Sequence, residues 1–163
     1  MSEDAERLVR LETKLDVVLD NQASFRASFE KHDDRIKVLE VLETEAAKAG
    51  RVVDALLQVH IAQEETKFGF SSEELLPLMT RTALEAYPHV RVRGLMGMAS
   101  FSPDESLVNR EFARLRALFL AGKEQLGVPH WDTLSMGMSG DWPAAVANGS
   151  TLIRVGSALF GSR

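Results

Sequence analysis

The stretch "LSMGMSGDWPAAVANGSTLIRVGSALFG", residues 134–161, decides the fold class of this chain. Two apolar runs flank a short helical one, and each run ends in glycine and hydroxyl residues. "DTLSMGM" (132–138) reads as one strand, and "TLIRVGSALF" (151–160) contains the next. Between them "DWPAAVAN" makes a short helix, with Asp141 as its N-cap and Gly149 closing it. Strand, helix and strand in succession imply parallel pairing through a right-handed crossover.

The same grammar extends upstream. "RVVDALLQVHI" (51–61) is a β-branched, apolar run that reads as a buried strand, after a helix ending in "EAAKAG" with Gly50 as its C′ residue. "SSEELLPLMTRTALEA" opens on a capping box, Ser71 to Glu74, and Pro77 inside it predicts a kink or a late start. "HVRVRGLMGMA" (89–99) is the second strand. "SPDESLVNREFARLRALFLAGKEQLG" predicts a helix with Ser102 as N-cap, Pro103 at N1 and Glu105 at N3. Val108, Phe112, Leu115 and Phe119 form its apolar stripe. The fold class is therefore α/β with a parallel sheet, either a small open sheet or half of an eight-stranded (β/α) barrel.

Residues 1–40 follow a different rule from residues 41–163. Leu8, Leu11, Leu15, Val18, Gln22, Phe25, Phe29, His32, Ile36 and Leu39 occupy the a and d positions of a continuous heptad, and eight of the ten are apolar. This segment reads as a long N-terminal helix, a coiled coil or a single amphipathic helix packed on the body.

Composition narrows the function classes. With 163 residues, 45% apolar and 26% charged, the chain is long enough for one ordinary domain with a core. Its net charge of −5, both signs mixed, provides no clustered basic face for nucleic acid. The absence of cysteine excludes disulfides, thiolate metal sites and cysteine nucleophiles. "MSEDAERLVR" has no apolar core of a secretory signal, and no run reaches membrane-spanning length, so the expected location is the cytoplasm.

In parallel α/β folds ligands lie at the carboxyl ends of the strands. Those ends here are 60–62, 98–100, 138–141 and 155–157. "MSGD" offers the Ser139 hydroxyl and backbone N–H groups near a helix start, which suits a phosphate. "RVGS" offers backbone approach at Gly156, the Ser157 hydroxyl and the charge of Arg154. The alternative is that these residues only make tight turns. The four histidines have no metal-ligand spacing: His60 reads as a satisfied core group, and His89 and His130 as solvated turn residues. "QEETKFGF" (63–70), at a strand's carboxyl end, reads as a loop that lines a site or, more commonly for a charged loop, is simply solvated, and Met96 and Met98 read as core. Glu64–Glu65 and Asp33–Asp34 are adjacent rather than facing, so no acid/base pair, catalytic residue or metal site is assigned.

"LLQVHIAQEETKFGF", "VRVRGLMGMASF", "DTLSMGMSGD" and "GSTLIRVGSALFG" together resemble successive blocks of the pyridoxal-phosphate homeostasis proteins. These are (β/α)8 barrels similar to the N-terminal domain of alanine racemase. The resemblance covers about residues 36–163, the C-terminal half of such a barrel, behind an unrelated N-terminal helical segment. It implies binding of pyridoxal 5′-phosphate (PLP) and a role in vitamin B6 and amino-acid balance without robust turnover. It places Ser139, Gly156 and Ser157 at the phosphate and Arg154 by the pyridine nitrogen. An arginine there stays protonated and leaves the ring nitrogen unprotonated, which weakens the cofactor's electron sink.

The chain departs from the family pattern in one respect. The family's Schiff-base lysine lies on the first barrel strand, in a block like "AVSKTKP", and no such block occurs here. Of Lys14, Lys31, Lys37, Lys48, Lys67 and Lys123, only Lys67 lies in a predicted loop, and the others lie on predicted helices. The cofactor is then expected to bind non-covalently if this chain binds it alone. A half barrel also leaves two sheet edges open, so a second copy or another chain is expected to complete it. The competing reading is a truncated or recombined, non-catalytic oligomerisation module. A phosphate-ester enzyme using the same residues is a third.

Overall fold

The computed structural model describes residues 36–64 and 67–161. The chain divides into two units, Met1–Glu40 and Val41–Arg163. Of the first, residues 36–40 are described and are helical; the rest of the heptad segment lies outside the described residues.

A helix over residues 36–48 is α1, and it closes where Gly50 takes a left-handed φ of 59°. Then follow β1 (Val53–His60), α2 (Ser72–Leu78), α3 (Arg81–Glu85), β2 (Val90–Met98), α4 (Glu105–Leu126), β3 (Thr133–Met138), α5 (Trp142–Ala147), β4 (Leu152–Arg154) and α6 (Ser157–Phe160). All three strand pairings are parallel and the order is β1-β2-β3-β4. The parallel α/β class read from the sequence is therefore the class observed. Because each crossover advances one strand in the same direction, the connecting helices gather on one face of the sheet.

That face holds the core. Val59, Leu95, Leu134 and Met136 on the strands and Phe112 and Leu115 of α4 are all almost wholly buried. Each such side chain contributes about 1.5–3 kcal/mol through burial. Trp131 anchors the far end of α4: its ring stacks on Phe119 with centroids 5.8 Å apart, and its Nε1–H donates to the Phe119 carbonyl at 2.9 Å. The predicted stripe Val108, Phe112, Leu115 and Phe119 is buried throughout. At Gly94, φ is 148° and a Cβ would stand 1.9 Å from the Thr133 carbonyl oxygen, so only glycine lets β3 approach β2.

Several local expectations are corrected. The helix expected over 71–86 is two helices. The Ser71–Glu74 capping box forms, but Pro77 removes a helical donor, and the chain breaks at Met79 before Thr80 caps α3 by accepting from the Ala83 N–H. Helix α4 starts later than predicted. Its N-cap is Asp104, whose carboxylate accepts from the Ser106 and Leu107 N–H groups, while Ser102 Oγ accepts from the Asp104 N–H instead. Met96 and Met98 are half-buried rather than core, because strand alternation turns them to the face opposite Leu95 and Gly97. His89 lies in a turn and is part-exposed as expected, but it is also paired: its Nδ1 lies 2.6 Å from Glu43 Oε1, and its backbone N–H donates to Glu43 Oε2.

Candidate functional site

A cleft of about 480 Å³ opens at the carboxyl ends of β2, β3 and β4. Ser139, Arg154, Gly156 and Ser157 all line it, so the structure brings together the four residues that the resemblance assigns to the cofactor, while the strand end at 60–62 does not line it. Ser100, Phe101, Val108, Met138 and Asp141 contribute further walls.

Ser139 follows β3 directly, and its Oγ accepts from the Gly156 N–H at 3.1 Å and the Ala158 N–H at 3.2 Å. Two backbone donors from the β4–α6 junction thus converge on one hydroxyl at the cleft wall. A Cβ at Gly156 would meet nothing within 4 Å, so packing within the described residues does not demand glycine there. Asp141 stands at the predicted N-cap position but does not cap α5. Its Oδ1 turns back to accept from the Met138 N–H at 2.6 Å, which tightens the 138–141 turn instead.

Arg154 ends β4 and lies half-buried across the sheet. Its Nη1 donates to Ser135 Oγ at 2.6 Å and to the Ser135 carbonyl at 3.2 Å, and its Nη2 donates to the Gly97 carbonyl at 3.2 Å. Burial pushes its pKa below the usual arginine value, an effect the Asp141 carboxylate opposes. From so high a starting point the guanidinium keeps its charge at neutral pH.

The β2 side of the cleft is tied down by carboxylates. Glu111, buried on α4, accepts from the Ser100 N–H at 2.6 Å and from Ser100 Oγ–H at 2.7 Å. Ser100 Oγ in turn accepts from the Gln63 N–H at 2.9 Å, joining the ends of β1 and β2. Glu64 Oε1 accepts from the Phe101 N–H at 2.9 Å, and this bond leads the causes that hold its carboxyl at about 2. Lys67 donates to Glu64 Oε1 and to the Ala99 carbonyl, so it is bound into this network, and the "QEETKFGF" loop is not merely solvated. His60 is a satisfied group, as expected: its Nε2 lies 2.9 Å from the Glu64 carbonyl.

The sequence reading missed the roles of Glu111 and Ser135. Glu111 sits inside the apolar stripe, one residue before Phe112 and four before Leu115, and an acid there is a signal that it meets a buried donor. Ser135 breaks the apolar run of β3 between Leu134 and Met136 in the same way. Among the described residues no group of histidines and acids could hold a metal ion. No helix among them is long and apolar enough to cross a membrane.

Sequential parallel strands with hydroxyl and guanidinium groups gathered in a cleft at their carboxyl ends define a parallel α/β protein of the kind that carries its site there. The chain belongs to the family of the alanine racemase N-terminal domain, whose sequence model matches residues 34–163. It is 36% identical over 132 residues to the pyridoxal phosphate homeostasis protein of Haemophilus influenzae, covering 80% of this chain and 54% of that one. With the protein of the same name from Escherichia coli it is 37% identical over 131 residues, with the same coverage. Among solved structures it is similar to PipY of Synechococcus elongatus without PLP, at a TM-score of 0.70 and 34% identity, covering 77% of this chain and 57% of that chain. The PipY structure with PLP bound aligns at a TM-score of 0.65 and 33% identity, covering 75% and 55%. The chain therefore spans about half the length of the relatives it matches.

Proposed function

We propose that this chain binds PLP non-covalently in the cleft and serves vitamin B6 homeostasis in the cytoplasm as a holder of the cofactor rather than a catalyst of turnover. The observation that carries the reading is the convergence of Ser139, Gly156, Ser157 and Arg154 on one cleft, with the Gly156 and Ala158 N–H groups aimed at Ser139 Oγ. The Ser139 and Ser157 hydroxyls, past the ends of β3 and β4, are donors that a phosphate monoester can use, and the Gly156 and Ala158 N–H groups hold Ser139 Oγ in place for it. The names of the relatives and the PLP-bound PipY structure support the choice of phosphate ester.

When bound, the cofactor supplies a reactive aldehyde on a pyridine ring. Arg154 is a pure donor, so beside the ring nitrogen it accepts no proton and donates a hydrogen bond to an unprotonated ring. That favours holding the cofactor over drawing electrons into it. Among the described residues no lysine lines the cleft, and Lys67 is already bound to Glu64 and the Ala99 carbonyl. The reading includes a half barrel completed by a second copy or another chain. The exposed Leu152 and Ile153 on β4, which pairs only with β3 among the described residues, favour such a partner.

A PLP titration followed by absorbance and fluorescence tests the reading. Binding is expected to saturate and to be competed by inorganic phosphate. Ser139→Ala is expected to weaken it by about three- to tenfold, the worth of one hydrogen bond to a charged group. Saturation without any effect of Ser139→Ala would remove the phosphate assignment, and no spectral change at all would remove the cofactor. Borohydride treatment followed by mass spectrometry checks the non-covalent clause: a pyridoxyl group on Lys67 would overturn it.

A further inference from the structure

We infer that Ser135 is the positioning residue for Arg154, its hydroxyl fixing which guanidinium N–H groups the cleft is offered. Arg154 starts on β4, crosses β3 at Ser135 and ends on β2 at the Gly97 carbonyl, so its side chain lies across three strands. The shortest of its bonds is the one to Ser135 Oγ, at 2.6 Å. Of the five guanidinium N–H donors, Nη1 directs both of its own at Ser135 and Nη2 directs one at Gly97. The Nε–H and one Nη2–H remain for a ligand in the cleft.

Ser135 itself is otherwise hard to explain. It is 1% exposed in the middle of an apolar strand, between two residues buried against the helices. An unpaired hydroxyl there would cost about 1–3 kcal/mol. Its bond to Arg154 removes that cost and restrains a long side chain that would otherwise sample many rotamers. With alanine at 135, the guanidinium loses its shortest bond and keeps only the two carbonyl contacts, each at 3.2 Å, so it turns more easily.

The consequence for the cofactor rests on the reading proposed above; the positioning itself does not, and the experiment separates the two. In the full chain with ¹⁵N-labelled arginine, the Arg154 Nη signals are recorded without ligand for the wild type, Ser135→Ala and Ser135→Thr. Restricted rotation should give resolved Nη signals in the wild type and in Ser135→Thr, which keeps the hydroxyl, and averaged signals in Ser135→Ala. Unchanged signals in Ser135→Ala would overturn the inference. PLP affinity should then fall about tenfold in Ser135→Ala, recover in Ser135→Thr, and leave inorganic-phosphate affinity within about twofold. An equal loss for both ligands would mark a general structural role and also overturn it. If the wild type shows no PLP binding, the cofactor reading fails while the arginine signals still decide the role of Ser135.

Discussion

Glu64 shows how one side chain can tie a site to pH. Its carboxyl is held at about 2 against an ordinary 4.5, chiefly by the Phe101 N–H. A depressed folded pKa gives stability that is present above the unfolded value and is lost as pH falls through the folded one. The loop beside the cleft should therefore loosen progressively from about pH 4.5 to about pH 2. Urea midpoints measured across that range should fall less steeply with pH for Glu64→Gln than for the wild type. Glu111 makes a different demand. Its removal in Glu111→Ala leaves the buried Ser100 N–H without its acceptor, at a cost of about 1–3 kcal/mol in urea unfolding. The acid in the apolar stripe at Glu111 signals a buried donor, but neither bond's partner was legible in the sequence. Glu64 reaches a residue 37 positions away and Glu111 one 11 positions away, and neither separation leaves a periodic trace.

Helix starts and stops were read well where the signal is local and poorly where two signals compete. The Ser71–Glu74 box and the Gly50 stop of α1 form as short-range chemistry dictates. At 102–104, serine and aspartate both offer a capping oxygen, and the chain places aspartate at the N-cap and uses serine two residues before it. Asp104→Ala should therefore cost about 1 kcal/mol and Ser102→Ala clearly less, as thermal or urea unfolding of the pair would show. Equal costs would return the cap to Ser102. Between β2 and β3 the decisive element is Gly94, where backbone meets backbone: Gly94→Ala should disrupt the pairing with Thr133, lower the yield of folded protein and lower its unfolding midpoint.

Across the second unit, four parallel strands in sequential order put the core on one face and the half-buried Met96 and Met98 on the other. A sheet so arranged exposes edges that natural proteins cover or pair. Sedimentation of the purified chain should accordingly give a mass above that of one copy. A monomer at every micromolar concentration tested would remove the second copy from the proposed reading and leave a separate chain.

By itself the sequence determined the four strands, the buried stripe of α4, the parallel class and the residues that crowd the strand ends. Each of these follows from spacing within a short window: apolar periodicity, capping chemistry and glycine at forced turns. Only the tertiary structure decided that Arg154 lies over Ser135 and Gly97, 19 and 57 positions away, and that Lys67 is bound to the Ala99 carbonyl, 32 positions away. Such bonds form between groups that chain folding happens to bring within 3 Å or so. They depend on how strands are placed side by side, which no local pattern along one strand encodes.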